Sequence, residues 1–226
     1  MPTAQFQAGS TRILYDRDAL TAVSLEWLQP QFWQIRKAVL DELGGRGQAL
    51  KIDTAIGIAV LRRYLRGGQV ARISHDRYLF TGYPRSRAFQ EWRVLEHLHE
   101  RGLPVPRPLA ASCERRGLFY RAGLMTRYID SALPLAQLAS ILTDADWQQL
   151  ATTLAAFFQA GLIHADLNAD NILRDGQGRW YLIDFDRARL QTRPADPLPM
   201  IARLSRSLDK LYPGRYTEKL AGLKWD

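Results

Sequence analysis

Two short segments of the sequence combine residue types that can accept a proton and bind a metal ion. The first runs from His164 to Asn171 and contains Asp166; the second contains Asp184, thirteen residues after Asn171. A positioned aspartate can take the proton of a hydroxyl group as that group reacts. Amide and carboxylate oxygens, such as those of Asn171 and Asp184, are the hard ligands that magnesium prefers. The two segments together predict a site that activates a hydroxyl group beside a divalent cation.

The spacing of these residues follows the two motifs of a kinase catalytic centre. The first segment reads H-x-D-L-x-x-x-N, with alanine where the motif has arginine, and the second reads D-F-D where the metal-binding motif has D-F-G. Each motif alone is a weak signal because Asp and Asn are common in turns, but their order and spacing favour catalysis. Asp166 is therefore the expected catalytic base, Asn171 and Asp184 are the expected Mg²⁺ ligands, and ATP is the expected phosphoryl donor. His164 is expected to orient the loop.

A kinase site also needs groups that hold the phosphates, and candidates precede the two motifs. The stretch G-G-R-G, which includes Gly45 and Gly47, lies between β-like runs and could let backbone N–H groups approach phosphate. Arg62 takes the place of the strand lysine in the kinase pattern, and Arg63 is expected on the opposite strand face. Glu91, in the helix that follows, is the expected partner of Arg62. The alternatives at these positions are an ordinary glycine turn and a solvated glutamate.

Hydrophobic periodicity predicts the elements that must position these residues. Two helices are expected, 86–101 and 144–160, the second with Thr143 or its own first residue as N-cap and with Gly161 as terminator. An amphipathic stretch at 25–40 is expected to pack on the next lobe. The β-like runs are 49–52, 56–65, 109–111, 118–122, 124–128, 171–173 and 180–183.

This order of elements predicts an α+β, protein-kinase-like, two-lobed fold in a single domain of residues 1–226. A small β-rich N-lobe of about residues 1–128 would carry one main helix, and a reduced, mostly helical C-lobe of about residues 129–226 would carry the catalytic β-hairpin. The sequence after Asp186 has no A-P-E segment and leaves no room for a peptide-binding helical lobe. A protein substrate is therefore not expected.

Composition and charge restrict the compartment and the partners. Cys113 is the only cysteine, which excludes an intrachain disulfide or a multi-cysteine zinc site and is typical of a reducing cytoplasm. The N-terminal residues do not read as a signal peptide, and no apolar stretch matches the roughly 20 residues that a membrane span requires. The net charge of +8 predicts attraction to a polyanion. The arginines of the chain are dispersed, and the sequence has no zinc-finger or RNP1-like pattern, so nucleic acid is not the expected partner.

Several further segments resemble the Kdo kinases, the family that phosphorylates 3-deoxy-D-manno-octulosonic acid (Kdo) in bacterial lipopolysaccharide. These segments read VLRRYLRGG at 60–68, DRYLFTG at 76–82, SRAFQEWRVL at 86–95 and LPVPRP at 103–108. The resemblance implies ATP-dependent phosphorylation of the 4-hydroxyl of a Kdo residue on Kdo-lipid IVA. It also implies a peripheral protein on the anionic surface of the inner membrane, at its cytoplasmic face. The family resembled uses arginine at the position of Arg62, so the missing lysine does not indicate an inactive kinase.

Two other classes of function remain open at this stage. The chain could be a different kinase of the lipopolysaccharide core, acting on a heptose, or a small-molecule kinase like the aminoglycoside phosphotransferases; the arginine-rich segment 60–93 favours lipopolysaccharide over an antibiotic. It could also be a catalytically dead nucleotide-binding module. Such a module needs none of Asp166, Asn171 and Asp184, and their presence together favours an active enzyme.

Overall fold

The computed structural model describes residues 1–43, 49–64 and 78–225, and the chain divides into two compact units. The first unit comprises Met1–Glu96 and Arg107–Tyr128, and the second comprises His97–Pro106 and Ile129–Asp226. The chain therefore passes from the first unit into the second, returns, and leaves the first unit for good after Tyr128.

An antiparallel sheet of eight strands dominates the described part of the first unit. Seven strands lie in the spatial order β1-β2-β7-β8-β5-β4-β3, and β6 pairs with the first two residues of β8. The strands are β1 (Thr3–Ala8), β2 (Thr11–Asp16), β3 (Val39–Leu43), β4 (Ala49–Thr54), β5 (Gly57–Arg63), β6 (Tyr78–Leu79), β7 (Pro108–Arg116) and β8 (Phe119–Arg127).

The apolar stretch near residue 30 completes the core of this same unit. It forms a 3-10 helix, Leu25–Leu28, and helix α1, Pro30–Ile35, in which proline occupies the first turn, where its missing N–H costs no hydrogen bond. The expectation that this stretch packs on the next lobe was wrong, because Leu28 and Trp33 are buried among side chains of the first unit's own sheet. Other members of that buried cluster are Ile13, Leu20, Leu50, Ile52, Ala59, Leu61, Leu109, Ala110 and Met125.

Helix α2 follows the sheet's fifth and sixth strands in the chain and confirms the helix predicted at 86–101. It spans Arg87–Glu100, and its apolar residues at helical spacing are buried, with Trp92 and Leu98 fully inaccessible. Two residues after the end of the helix, the backbone of Gly102 has a φ of 72°, a left-handed conformation that glycine adopts without steric cost.

Helices make up most of the regular structure in the described part of the second unit, which also contains two small sheets. Helix α4 begins at a capping box, in which the Thr143 hydroxyl accepts from the N–H of Asp146 and the Asp146 carboxylate accepts from the N–H of Thr143. The helices are α3 (Leu135–Leu138), α4 (Asp144–Gln159), α5 (Leu198–Leu211) and α6 (Thr217–Ala221). The strands are β9 (Leu133–Pro134), β10 (Leu162–Ile163), β11 (Ile172–Arg174), β12 (Trp180–Leu182) and β13 (Arg189–Leu190), paired as β12-β11-β9 and β10-β13.

Gly161 directs the chain from α4 into β10. Its φ is 80°, and a Cβ atom on this residue would lie 2.1 Å from the carbonyl oxygen of Gln191. The Gln191 N–H in turn donates to the Gly161 carbonyl oxygen at 3.0 Å. Only glycine fits this close approach, so the predicted terminator of α4 also fixes where strand β10 begins. Within the described ranges, no helix has the length and apolar character needed to cross a bilayer.

Candidate active site

The predicted catalytic segment forms a loop, residues 164–171, that joins β10 to β11 in the second unit. Asn168 closes the loop on itself, because its Oδ1 accepts from the N–H groups of Asp170 at 2.9 Å and Asn171 at 3.0 Å. The hairpin of β11 and β12 follows at once, with Ile172 opposite Leu182. The C-terminal part of the loop is therefore held both by the Asn168 side chain and by the paired strand that follows it.

His164 ties this loop to the segment that carries Asp184. Its Nδ1 accepts from the N–H of Asp166 at 3.2 Å, so Nε2 carries the proton and donates to the carbonyl oxygen of Ile183 at 3.1 Å. Burial lowers the pKa of His164 below its usual 6.5, although the hydrogen bond to Ile183 and the charges of Asp184 and Asp166 act in the opposite direction. The imidazole is thus a neutral connector, which agrees with the predicted orienting role.

One oxygen of the Asp166 carboxylate is held by a hydrogen bond, and the side chain is open to solvent. Asn168 donates from Nδ2 to Asp166 Oδ2 at 3.1 Å. The Asp166 side chain remains 60% exposed. A carboxylate that is fixed in direction and still accessible can contact a hydroxyl group of a bound molecule.

Asn171 and Asp184 are brought to neighbouring positions by the hairpin. The N–H of Ile183 donates to the carbonyl oxygen of Asn171 at 3.0 Å, so the residue before Asp184 is bonded directly to Asn171. The Asn171 side chain donates from Nδ2 to the carbonyl oxygen of Asp166 at 2.9 Å, which turns its amide oxygen away from that backbone. Asp184 has a φ of 60°, a conformation uncommon outside glycine and found among residues at functional sites.

One face of helix α5 contacts the 164–171 loop along its length. The contacting residues, at positions 200, 203 and 207, are three and four apart and so share one side of the helix. The side chains on that face bind main-chain groups, which fixes the loop independently of its sequence. Met200 Sδ accepts from the N–H of His164 at 3.2 Å, Arg203 donates from Nη1 to the carbonyl oxygen of Ala165, and Ser207 Oγ accepts from the N–H of Ala169 at 3.1 Å.

The ion pair predicted between Arg62 and Glu91 is present in the first unit. Arg62 Nη2 donates to Glu91 Oε2, and the same oxygen accepts from the Tyr64 hydroxyl at 2.5 Å. Glu91 is 3% exposed and Arg62 is 23% exposed, so the carboxylate is enclosed while part of the guanidinium reaches solvent. Burial, and then the charge of Glu91, raises the pKa of Tyr64 well above its usual value. Tyr64 therefore stays protonated as a donor.

Sequence reasoning missed three residues of these arrangements. Tyr64 lies two residues after Arg62, and side chains two apart on extended backbone share a face. This spacing could have placed Tyr64 beside Arg62. The role of Asn168 could have been predicted from the tendency of Asn side chains to close turns. No local pattern pointed to Arg203, because its place beside Asp166 depends on how α5 packs.

Gly45 and Gly47 lie outside the residues that the structure describes. Among those it does describe, no group of three or more His, Cys, Asp or Glu side chains could hold a metal ion by itself. The donor set of Asn171 and Asp184 fits magnesium, which binds proteins through one or two carboxylates and takes other ligands from phosphates and water.

Comparison with known proteins identifies related sequences over most of the chain. Residues 30–220 match the model of the lipopolysaccharide kinase (Kdo/WaaP) family. The 3-deoxy-D-manno-octulosonic acid kinases of Stenotrophomonas maltophilia (strain R551-3) and Xanthomonas axonopodis pv. citri (strain 306) are each 45% identical over 213 residues, covering 93% of this chain and 85% of theirs. Among solved structures, the kinase PK-1 of Cydia pomonella granulovirus aligns with 72% of this chain and 58% of its own, at 14% identity and a TM-score of 0.49.

Proposed function

Because the chain belongs to the lipopolysaccharide kinase (Kdo/WaaP) family, we propose that it phosphorylates the 4-hydroxyl of a Kdo residue on Kdo-lipid IVA, with ATP as donor. Family membership makes it a sugar kinase, and the acceptor molecule and hydroxyl are the proposal. Identity of 45% to two 3-deoxy-D-manno-octulosonic acid kinases supports Kdo as the acceptor. The observation that carries the transfer reaction is the Asp166 carboxylate, which is held by Asn168 and exposed to solvent in a loop hydrogen-bonded to Asn171.

Asp166 is the proposed catalytic base. The oxygen of the acceptor hydroxyl forms a bond to the γ-phosphorus, the bond from that phosphorus to the β–γ bridging oxygen breaks, and ADP leaves. The hydroxyl proton passes to the Asp166 carboxylate as the new bond forms. Asn168 supports this role by holding Oδ2 in place, while His164 and the face of α5 hold the loop backbone.

Asn171 and Asp184 are the proposed Mg²⁺ ligands. Magnesium bound there would neutralise charge on the nucleotide phosphates as it builds up in the reaction. The chain's own contribution is to bring the two side chains to adjacent positions through the Ile183–Asn171 hydrogen bond. The orientation of the Asn171 amide, fixed by its bond to the Asp166 carbonyl, leaves the amide oxygen for a cation.

In the first unit, Arg62 is the proposed phosphate-binding cation and Glu91 the residue that orients it. The enclosed Glu91 carboxylate binds one nitrogen of the guanidinium, and the guanidinium is partly exposed, so that a phosphate of a bound nucleotide can approach it. Gly45 and Gly47 are proposed to bring backbone N–H groups to the same phosphates, as the glycine-rich stretch predicts. The two units are proposed to act as the two lobes of a single kinase domain.

The proposed setting is the cytoplasmic face of the bacterial inner membrane, where the protein would be a peripheral component of lipopolysaccharide synthesis. The net charge of +8 supports attachment to an anionic surface, at about 1 kcal/mol per basic residue near the lipid headgroups. Membrane attachment would keep the enzyme beside a lipid-borne acceptor.

The deciding experiment is transfer of label from [γ-³²P]ATP to purified Kdo-lipid IVA, with heptosylated acceptors assayed in parallel. We expect label on Kdo at its 4-hydroxyl, located by NMR of the product. Asp166→Asn is the matched negative control, and the loss of a general base typically lowers the rate 10²–10⁴-fold. Label that appears only on a heptose would replace the acceptor and leave the kinase assignment in place.

A further inference from the structure

Arg203 lies beside the proposed base but is not hydrogen-bonded to it. The Arg203 Nη1 atom is 3.8 Å from Asp166 Oδ1, beyond hydrogen-bond range, and the Arg203 side chain is 47% exposed. A charge-assisted bond made to hold Asp166 would be about 2.7–2.9 Å long. Asp166 is instead held by Asn168, so fixing this carboxylate is not the main task of the guanidinium.

The exposed part of the Arg203 guanidinium has N–H groups that can bind a ligand. Of its five N–H groups, Nη1 supplies one to the Ala165 carbonyl oxygen. Among the described residues, neither Nε nor Nη2 of Arg203 makes a hydrogen bond or an ion pair. A planar fork of this kind matches both oxygens of a carboxylate. The site next to the base is thus equipped to bind a second anion as well as to accept a proton.

An acidic acceptor needs such a cation. If the acceptor sugar carries a carboxylate, binding its hydroxyl at Asp166 brings two negative charges close together, and their repulsion weakens binding unless a positive charge lies nearby. Arg203 is a positive charge within 4 Å of that aspartate. We propose that Arg203 binds the carboxylate of an ulosonic acid acceptor and so selects acidic over neutral sugars; this inference rests on the proposed function.

The test uses the full chain, two soluble acceptors and one matched control variant. The acceptors are the methyl glycoside of Kdo and the same glycoside with its carboxyl group methylated, and binding of each is measured by titration calorimetry. Arg203→Gln keeps an N–H that can donate to Ala165 and removes the charge. Arg206→Gln is the control, because Arg206 is an exposed arginine of the same helix that makes none of the loop contacts described above.

We expect Arg203→Gln to weaken binding of the acid about tenfold, the lower end for charge-assisted hydrogen bonds because the group is partly exposed. Binding of the ester and the KM for ATP should be unchanged, and Arg206→Gln should match wild type throughout. If Arg203→Gln is misfolded by circular dichroism, Arg203→Lys provides the same comparison: it should keep part of the preference for the acid.

Three results would overturn the inference. Equal loss of binding for acid and ester in Arg203→Gln would indicate a purely structural arginine, and a raised KM for ATP in this variant would indicate contact with the donor. The third result is a wild-type protein that shows no preference for the acid. The proposed function is judged separately, by transfer to Kdo-lipid IVA. Carboxylate-dependent binding without transfer would refute the proposed reaction and leave the Arg203 site in place. Equal transfer to acid and ester would leave the proposed reaction in place and refute the Arg203 site.

Discussion

Asn171 and Asp184 are the two side chains on which binding of a magnesium nucleotide should depend most directly. Asp184→Ala removes a proposed ligand, so affinity for Mg-ADP should fall about 100-fold or more, since even residues that only support a ligand typically contribute 10–100-fold. Titration calorimetry of Mg-ADP, repeated over a range of magnesium concentrations, measures the change. Asp170→Ala is the control, because Asp170 is an exposed aspartate of the 164–171 loop, and this variant should bind Mg-ADP like wild type. An unaltered magnesium dependence in Asp184→Ala would remove this residue from the metal site.

Arg62 should be sensitive to replacement by lysine although the charge is kept. Its fork can bind Glu91 and a phosphate together, whereas lysine offers a single point charge. Arg62→Lys should lower kcat/KM roughly ten- to hundred-fold, as expected for loss of charge-assisted hydrogen bonds of about 1.5–3 kcal/mol. Glu91→Gln should lower kcat/KM too. The free-energy loss in the double variant should be smaller than the sum of the losses in the two single variants.

Arg63→Lys is the matched control for that cycle, since Arg63 is the next residue along β5 and faces the other side of the sheet. It should retain wild-type kcat/KM. Full activity in Arg62→Ala would place the phosphate-binding cation elsewhere in the chain.

His164 should make stability depend on pH in a defined window. Its pKa in the folded protein is lowered by burial, so below the usual value of 6.5 the unfolded chain binds a proton that the folded chain excludes. Stability is therefore fully present above about pH 6.5 and falls as pH decreases toward the folded pKa. Urea denaturation of wild type and His164→Asn between pH 5 and pH 8 should show a smaller pH slope in the variant. Parallel curves over this range would mean that His164 is not the group responsible.

At the scale of elements, helix α4 should depend on its capping box. Thr143→Ala removes the hydroxyl that accepts from the N–H of Asp146, and the free energy of unfolding should fall by about 1 kcal/mol. Thr152→Ala is the control, since Thr152 is exposed on the same helix and its hydroxyl bonds only the Gln148 carbonyl one turn earlier. Urea denaturation at pH 7 measures both. A loss in Thr152→Ala equal to that in Thr143→Ala would show that the cap has no special contribution.

The best-predicted elements are those with strong local signals. Helices α2 and α4 were expected within about one residue of their observed ends, because a buried apolar face and terminal glycines or caps coincide there. The hairpin of β11 and β12 was equally clear. The α+β, protein-kinase-like fold class is confirmed by membership of the family and by the mixture of elements in the two units.

Other elements depend on partners that are distant in sequence. The sequence of the β1–β2 hairpin shows no strong alternation of apolar and polar residues. Its second strand is held by pairing with β7, about 100 residues later in the chain. The runs expected at 118–122 and 124–128 are one strand, β8, whose central glycine allows close approach of neighbouring backbone. Arg203 was beyond prediction for the same reason, since 37 positions separate it from Asp166 and only tertiary packing brings them together.

At the scale of the whole molecule, charge is the property that composition predicts most directly. An excess of 31 Lys and Arg over 23 Asp and Glu attracts any anionic surface. Several of these basic groups are already paired within the protein, including Arg107 with Asp16 and Arg174 with Asp146. The net charge, rather than the number of basic residues, should therefore set the strength of membrane binding.

The full chain should bind vesicles that contain phosphatidylglycerol and should not bind vesicles of phosphatidylcholine alone, as measured by cosedimentation. The attraction is electrostatic, and the screening length shrinks from about 10 Å at 0.1 M salt to about 3 Å at 1 M. Binding should therefore fall steeply between these salt concentrations. Equal binding to both kinds of vesicle, or binding that salt leaves unchanged, would point to insertion of apolar side chains. The Kdo-bearing acceptor, added to phosphatidylcholine vesicles, should be compared with an amount of phosphatidylglycerol of equal total charge, because only stronger sedimentation with the acceptor indicates that the protein binds the acceptor itself.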